Sequence, residues 1–290
     1  MAEQQKPVGG GSLLIAWQLK DKKVLIVGGG EVGAQRIDSL LTTDANIDLV
    51  SPSAGLHPRT KKFLEQYPSR ITHFDQSFSF PDTQQAAASI DVGAYDMVLT
   101  ALDDTALSRK IVQACRSIRV PVNAADIPDL CDFYFGGQVR DGPLQIMIST
   151  NGNGPRIAAL IKDRVKGALT GKEGEALIKV GLLRTKLKER APGVGGDVGK
   201  RRMRWMSRVC EQWSLEDLSH LDEEAMEKLL DEGWERNEVP TPPEFSKESR
   251  SWSWVEVFKS NATRSLPSAA SFAAGIVFAQ FIFSVWRGKK

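Results

Sequence analysis

The sequence predicts an α/β protein in which a parallel sheet with crossover helices is followed by a β-hairpin segment and a small helical domain. Three observations lead to this fold class. Short apolar runs alternate with amphipathic helical patterns over about the first 120 residues, which is typical of a parallel sheet. Two strand-like runs are then joined by a tight turn, and only helical patterns follow. The 41% hydrophobic and 26% charged residues suit a globular chain of this kind.

The first strand is the apolar run Lys23–Val27, which ends at three consecutive glycines. A helix is predicted over residues 32–41, because small and apolar side chains recur there at helical spacing. The remaining elements of this first domain are strands at 47–50, 71–74 and 97–100, a helix at 105–117 and a further strand that ends near residue 124. Strand and helix alternate throughout, so the domain is predicted to be Rossmann-like.

The second part of the chain has a different pattern. Strands are predicted over 133–139 and 144–149, joined by the hairpin signal Arg140-Asp141-Gly142-Pro143. Helices are predicted over 155–169, 175–190, 201–213 and 221–234. The predicted division is residues 1–121 (Rossmann-like domain), 122–170 (middle segment), 171–237 (helical domain), 238–268 (linker) and 269–286 (C-terminal tail).

Charge and cysteine content exclude several classes of protein. Lys and Arg number 38 and Asp and Glu 36, so overall charge does not indicate a nucleic-acid partner. Three widely spaced cysteines form no CxxC pair and suit a reducing, cytoplasmic location. His57, His73 and His220 show no metal-ligand spacing, and no bound metal is expected. The polar N-terminus does not resemble a signal peptide.

A possible membrane attachment lies at the C-terminus. Residues 269–286 carry no charge and are followed by Arg287, Lys289 and Lys290. This length meets the lower limit for a transmembrane helix, and the basic residues lie where interfacial anchors occur. We expect a tail anchor, with a helix docked on the protein or on a partner as the alternative.

The strongest local signal is the motif Gly28-x-Gly30-x-x-Gly33, which lies between a predicted strand and a predicted helix. Gly28 permits a tight turn, Gly30 lets the backbone approach a pyrophosphate, and Gly33 lets the helix pack on the strand. The backbone amides at the start of the helix, including those of Glu31 and Val32, then face the phosphates. This context predicts a dinucleotide site.

The second strand departs from the usual NAD pattern. An acidic residue commonly ends that strand and binds the ribose hydroxyls, whereas Ser51, Pro52 and Ser53 occupy this place here. The residues alone do not decide between NAD and NADP. Because Arg59 is the nearest arginine, a 2′-phosphate has no adjacent cation in the sequence, and this favours NAD.

Asp126 is the candidate catalytic residue. It follows a predicted strand of the sheet, and the carboxyl ends of such strands border the ligand crevice. A carboxylate in that position can act as a general base beside a nicotinamide ring. Asp129 and Asp132 are competing candidates, and a turn or capping role is the structural alternative for all three.

Four segments give the chain a specific family resemblance. They are LLIAWQLKDKKVLIVGGGEVGAQRI near the start, TALDD at 100–104, VNAADIPDLCDFYFGG at 122–137 and ISTNGNGPRIAALIKD at 148–163. The chain resembles the fungal bifunctional precorrin-2 dehydrogenases/sirohydrochlorin ferrochelatases and the corresponding half of bacterial sirohaem synthases. The resemblance is looser through RRMRWMSRVCEQW at 201–213 and does not extend to the last fifty residues.

The resemblance implies NAD-dependent dehydrogenation of precorrin-2 to sirohydrochlorin, followed by insertion of ferrous iron without NAD. It also implies a homodimer that interlocks through the middle segment. The family uses one aspartate of its VN-x-x-D motif in both reactions, and Asp126 matches that aspartate. Two alternatives stay open from the sequence, namely a dehydrogenase without chelatase activity and a non-catalytic NAD-sensing module.

A tetrapyrrole with eight carboxylates calls for a basic cleft. The helical region supplies many cations, although most lysines and arginines on helices are only solvated surface residues. The candidates are Lys162, Arg164, Lys166, Lys179, Arg184, Lys186, Lys188, Arg201, Arg202 and Arg204.

Overall fold

The computed structural model describes residues 11–81 and 89–242. The described chain forms two compact units. One contains the residues up to Val139 together with Ile146–Ala168. The other contains Arg140–Gln145 and the residues from Leu169 onward. The five-part division from the sequence remains a prediction.

The first unit is built on a five-stranded parallel sheet. Its strands are β1 (Lys23–Val27), β2 (Asn46–Val50), β3 (Ile71–Phe74), β4 (Met97–Thr100) and β5 (Val122–Ala124), in the spatial order β3-β2-β1-β4-β5. Most strand residues in the centre of the sheet are fully buried, because helices cover both faces of a parallel sheet. The predicted Rossmann-like α/β fold is confirmed.

Three helices connect these strands, namely α1 (Glu31–Leu41), α2 (Pro58–Gln66) and α3 (Thr105–Ser117). Helices α1 and α3 each bury one apolar stripe. The residue Ile37 of α1 joins a core on one face of the sheet, whereas Ile111 and Val112 of α3 join a core on the other face. Helix α2 was not expected from the sequence, because its only buried residue is Thr60 and it therefore lacks an apolar stripe.

A hairpin and a helix follow the sheet. Strands β6 (Gly137–Asp141) and β7 (Leu144–Ile148) form a separate two-stranded sheet, and helix α4 spans Pro155–Ala168. The predicted hairpin is therefore present, but β6 begins later than expected and its turn is shorter. Gly142 has a φ of +52°, which suits a two-residue turn and lets Asp141 remain in the strand.

The second unit is helical around an aromatic core. It contains α5 (Glu173–Arg190), α6 (Gly196–Gln212), α7 (Leu215–Ser219), α8 (Glu223–Lys228) and a π-helical segment at Leu229–Trp234. Trp205 is fully buried, packs edge-on against Trp234 at 5.9 Å and donates a hydrogen bond from Nε1 to the Glu238 carbonyl at 2.7 Å.

Two helix boundaries in this unit were predicted wrongly. Helix α6 begins within the glycine-rich stretch rather than at Arg201, because Gly195 at a φ of +72° starts it in a conformation that glycine adopts at little cost. The single helix predicted over 221–234 begins instead at Glu223, because Asp222 caps α8 by accepting a hydrogen bond from the amide of Ala225. The helix then continues directly into the π-helical segment.

Within residues 11–81 and 89–242, no helix is both long enough and apolar enough to cross a membrane. The predicted span at 269–286 lies outside the described residues.

Candidate active site

The glycine turn after β1 depends on two very close backbone approaches. Gly28 has a φ of +104°, and a Cβ atom there would lie 2.2 Å from the Ala101 carbonyl oxygen. A Cβ atom on Gly33 would lie 2.2 Å from the Gly28 carbonyl oxygen. Real side chains do not make such contacts, so both positions require glycine for the turn and for the packing of α1 on β1.

Gly30 differs from these two glycines because it borders open space. It is the N-cap of α1, no side chain caps the helix, and a Cβ atom there would meet nothing within 4 Å. The first-turn amides, among them those of Glu31 and Val32, have no acceptor within the helix. An uncapped helix start beside an open backbone surface fits the pyrophosphate of a dinucleotide.

The loop after β2 holds the glycine turn in place. The carbonyl oxygen of Gly29 accepts hydrogen bonds from the His57 amide and the Thr60 hydroxyl, each at 2.9 Å. Ser51 is buried, and its Oγ atom would lie 2.9 Å from a Cβ atom on Gly29. Thr60 was missed from the sequence, because only the fold brings it to the turn.

The three residues predicted to meet the ribose therefore occupy different environments. Ser51 packs against the glycine turn, whereas Pro52 and Ser53 are exposed. The backbone amide of Ser53 donates a hydrogen bond to Oδ1 of Asp75 at 2.6 Å. Asp75 follows β3 and was not identified from the sequence, because its relation to β2 depends on strand pairing.

Thr100 ends β4, beside the glycine turn. It is 2% exposed, and its Oγ1 atom has no hydrogen-bond partner among the described residues. Buried hydroxyl groups are normally satisfied, so an unpaired one calls for an explanation. Its place at the carboxyl edge of the sheet is compatible with a polar group of a bound nucleotide.

Asp126 lies just beyond β5, at this same edge of the sheet. It is exposed and has a φ of +60°, a conformation that aspartate and asparagine adopt more readily than most residues. Its carboxylate has no hydrogen bond or ion pair within the described residues. Asp126 is therefore available to a substrate, as a general base must be.

The two competing aspartates are placed differently. Asp132 is held by Arg116 at 2.9 Å, and its Oδ2 accepts a hydrogen bond from the Val122 amide at 3.1 Å. Asp132 thus closes the loop that carries Asp126. Asp129 is exposed, and its backbone carbonyl accepts a hydrogen bond from Arg116. Asp126 is the candidate that this geometry favours.

Arg36 connects the nucleotide-binding helix with the Asp126 segment, and it was also missed from the sequence. From α1 it donates a hydrogen bond to Oδ1 of Asn123 at 3.3 Å, and its guanidinium lies 4.2 Å from the ring centroid of Phe135. Burial lowers the pKa of Arg36, while electrostatic interactions with Cys131 and Asp126 act in the opposite direction. The half-buried guanidinium of Arg36 therefore contacts residues on either side of the segment that carries Asp126.

The helical unit contains several of the predicted basic residues. Three of them make structural contacts: Lys186 pairs with Glu223 and Glu227, Arg201 stacks on Trp234, and Arg202 donates to backbone carbonyls. Arg184 and Lys188 line a groove of about 490 Å³ between α5 and α6. Among the described residues, no three His, Cys, Asp or Glu side chains lie together as a metal site.

A parallel sheet with an open, uncapped glycine turn defines an NAD(P)-binding protein. Sequence comparison agrees: residues 15–137 match an NAD(P)-binding family, residues 141–168 the central region of sirohaem biosynthesis proteins, and residues 171–240 their C-terminal region. The chain belongs to the family of sirohaem biosynthesis proteins.

Individual relatives agree with this assignment. The siroheme biosynthesis protein of Schizosaccharomyces pombe is 46% identical over 82% of this chain and 87% of its own length. The corresponding protein of Saccharomyces cerevisiae is 33% identical, with 76% and 89% covered. The siroheme synthase of Thioalkalivibrio sulfidiphilus is 29% identical over 74% of this chain, and the match covers 41% of that longer protein.

A solved structure shares the fold. SirC, a precorrin-2 dehydrogenase, superimposes with a TM-score of 0.55 over 76% of this chain and 98% of its own, at 18% identity. The family and fold expected from the sequence are thereby confirmed.

The two kinds of glycine in the turn should respond differently to substitution. Gly33→Ala forces a methyl group against a backbone carbonyl, and we expect it to lower the free energy of unfolding of the first unit by about 1–3 kcal/mol or more. Gly30→Ala places its methyl group in open space and should cost less than about 1 kcal/mol. Native-state hydrogen exchange of the β1 amides measures both. Equal losses would contradict this account of the turn.

Proposed function

We propose that this chain catalyses two successive steps of sirohaem synthesis: NAD-dependent dehydrogenation of precorrin-2 to sirohydrochlorin, and insertion of ferrous iron into the product. The observation that carries the proposal is the exposed, unpaired carboxylate of Asp126 at the sheet edge that also holds the open glycine turn. The activity named for SirC and the family membership support the same assignment.

The dehydrogenation removes a hydride and a proton from the substrate. Bound NAD supplies the hydride acceptor. The residues of this chain bind that nucleotide through the first-turn amides of α1. Gly30 leaves its path open, whereas Gly28 and Gly33 form the turn and the helix packing that place these amides. Asp126 accepts the proton that leaves with the hydride.

Iron insertion uses the carboxylate of Asp126 in a different way. Two pyrrole N–H protons must leave as Fe²⁺, which is a substrate here, enters the macrocycle. Asp126 accepts one of them and the other passes to solvent water, while the negative charge of Asp126 also attracts the incoming cation. One exposed carboxylate can therefore serve both steps, and the second step needs no nucleotide.

Replacing Asp126 by Asn tests the shared role. Asparagine tolerates the positive φ and keeps the shape of the side chain, so the protein should fold and bind NAD normally. NADH formation from precorrin-2 should fall by about 10²–10⁴-fold, and iron insertion into sirohydrochlorin, measured without NAD, should also be strongly impaired.

Asp129→Asn is the matched control for this experiment, because Asp129 is an exposed aspartate of the same loop. It should leave both activities nearly unchanged. Full activity in Asp126→Asn would move the catalytic role elsewhere. Loss of the first activity alone would separate the two sites, and a wild-type chain that forms NADH but inserts no iron would be a dehydrogenase only.

The proposed assembly is a homodimer that forms through the middle segment. The support is an exposed apolar stripe on α4, where Ile157, Leu160 and Ile161 are 57%, 52% and 41% exposed. These positions share one face of the helix. Helical faces of this kind commonly mark interaction sites, and a second copy of this chain is the partner that the family resemblance implies.

A charge on this stripe should prevent dimer formation. We expect Leu160→Glu to sediment as a monomer at concentrations where the wild-type protein is a dimer, because the interface would bury an unpaired carboxylate. Val194→Glu is the control, since Val194 is a fully exposed apolar residue outside the stripe. A dimer that persists in Leu160→Glu would place the interface on another surface.

The proposed location is the cytoplasm, with attachment to a membrane through residues 269–286. The support comes from sequence alone: an uncharged apolar stretch followed by basic residues.

The full chain should co-sediment with neutral lipid vesicles in high salt, whereas a chain that ends at Phe245 should remain in solution and retain both activities. A full chain with Phe278→Lys and Ile282→Lys separates the two explanations, because charges inside the stretch should abolish membrane binding. Unchanged co-sedimentation of that variant would contradict the anchor.

A further inference from the structure

No acidic residue ends β2, but one directly follows the neighbouring strand β3. In the parallel pairing of β2 with β3, Val50 lies opposite Phe74. Asp75 therefore follows β3 at the level where Ser51 follows β2. The Ser53 amide donates to its Oδ1 at 2.6 Å, which holds the carboxylate beside the loop that leaves β2.

The loop that holds Asp75 also contacts the glycine turn. Ser51 packs against Gly29, and the Gly29 carbonyl is bonded by the same loop through His57 and Thr60. In Rossmann domains the adenosine ribose lies next to the end of the second strand. Ser53 thus holds the carboxylate of Asp75 near the expected place of the ribose hydroxyls.

The charge of Asp75 suits a ribose and opposes a phosphate. Hydrogen bonds from the Ser53 hydroxyl and amide hold the pKa of Asp75 below its usual range, so the side chain is ionised at neutral pH. A carboxylate has about four acceptor positions, which leaves capacity for a ribose hydroxyl. A 2′-phosphate in the same place would meet a negative charge.

The nearest arginine is engaged elsewhere. Nη2 of Arg59 lies 3.3 Å from Oδ2 of Asp38, and its guanidinium lies over the Phe63 ring at 5.8 Å from the centroid. The choice between NAD and NADP therefore depends on which charge faces the 2′ position of the adenosine ribose. The loop after β2 holds the carboxylate of Asp75 on this side through the Ser53 amide.

We propose that Asp75 determines the preference of this chain for NAD over NADP, by accepting a hydrogen bond from the ribose 2′-hydroxyl and repelling a 2′-phosphate. The inference rests on the proposed nucleotide-binding function of the glycine turn. It adds a specificity residue that the usual sequence pattern does not contain, because that pattern expects the acid on β2.

Equilibrium binding of NAD and of NADP to the full chain, each titrated calorimetrically, tests the proposal without any need for turnover. In Asp75→Asn the side chain still accepts from Ser53 but loses its charge. NAD should bind more weakly and NADP more tightly, so that the ratio of the two dissociation constants changes by about tenfold or more. Asp75→Arg should shift the ratio further towards NADP.

The matched control is Asp91→Asn. Asp91 is another exposed aspartate of the same unit whose side chain accepts from a backbone amide, that of Gly93 at 2.8 Å, but it has no connection with the β2 loop. It should leave the ratio unchanged. If Asp75→Asn weakened both nucleotides equally, Asp75 would only hold the loop and the proposal would be wrong. Failure of the wild-type chain to bind either nucleotide would instead overturn the proposed function.

Discussion

The site depends on one backbone contact, that between Gly33 of α1 and the carbonyl of Gly28 at the end of β1. A Cβ atom on Gly33 would lie 2.2 Å from that oxygen, so the helix can approach the strand this closely only with glycine at position 33. The approach turns the uncapped start of α1 towards the open surface at Gly30. It also determines which side chains of α1 face the sheet, because residues three positions apart share one face of a helix.

Arg36 lies three positions after Gly33 and therefore faces the sheet as well. From this face it reaches Asn123 and Phe135, which flank the loop that carries Asp126. A buried cation is costly unless its hydrogen bonds and charge are compensated. The Phe135 ring, the side-chain oxygen of Asn123 and the charge of Asp126 provide that compensation here. One side chain therefore connects the helix that is proposed to bind the nucleotide with residues on either side of the loop that carries Asp126.

Much of this architecture is readable from the sequence. The glycine spacing, the apolar run before it and the strand–helix alternation are local signals, and they predicted the sheet, the turn and the place of Asp126. The helix starts at Gly196 and Glu223 were not predicted, because they depend on a glycine at positive φ and on the Asp222 cap rather than on apolar periodicity. Arg36, Thr60 and Asp75 were missed for another reason. Each acts on a residue 22 or more positions away in the chain, and no pattern in one sequence reports strand register.

In the proposed site, Asp75 after β3 takes the role that an acidic residue at the end of β2 has in the usual NAD pattern. Neighbouring parallel strands lie about 4.8 Å apart, so a ribose near the end of β2 is within reach of a side chain from the end of β3. This frees the end of β2 for another task. The small side chain of Ser51 packs against Gly29 beside Leu56. The loop after β2 can then clamp the glycine turn through His57 and Thr60 while the neighbouring strand supplies the charge. Serine at the end of the second strand is therefore consistent with an NAD site, provided that the third strand ends in an acid.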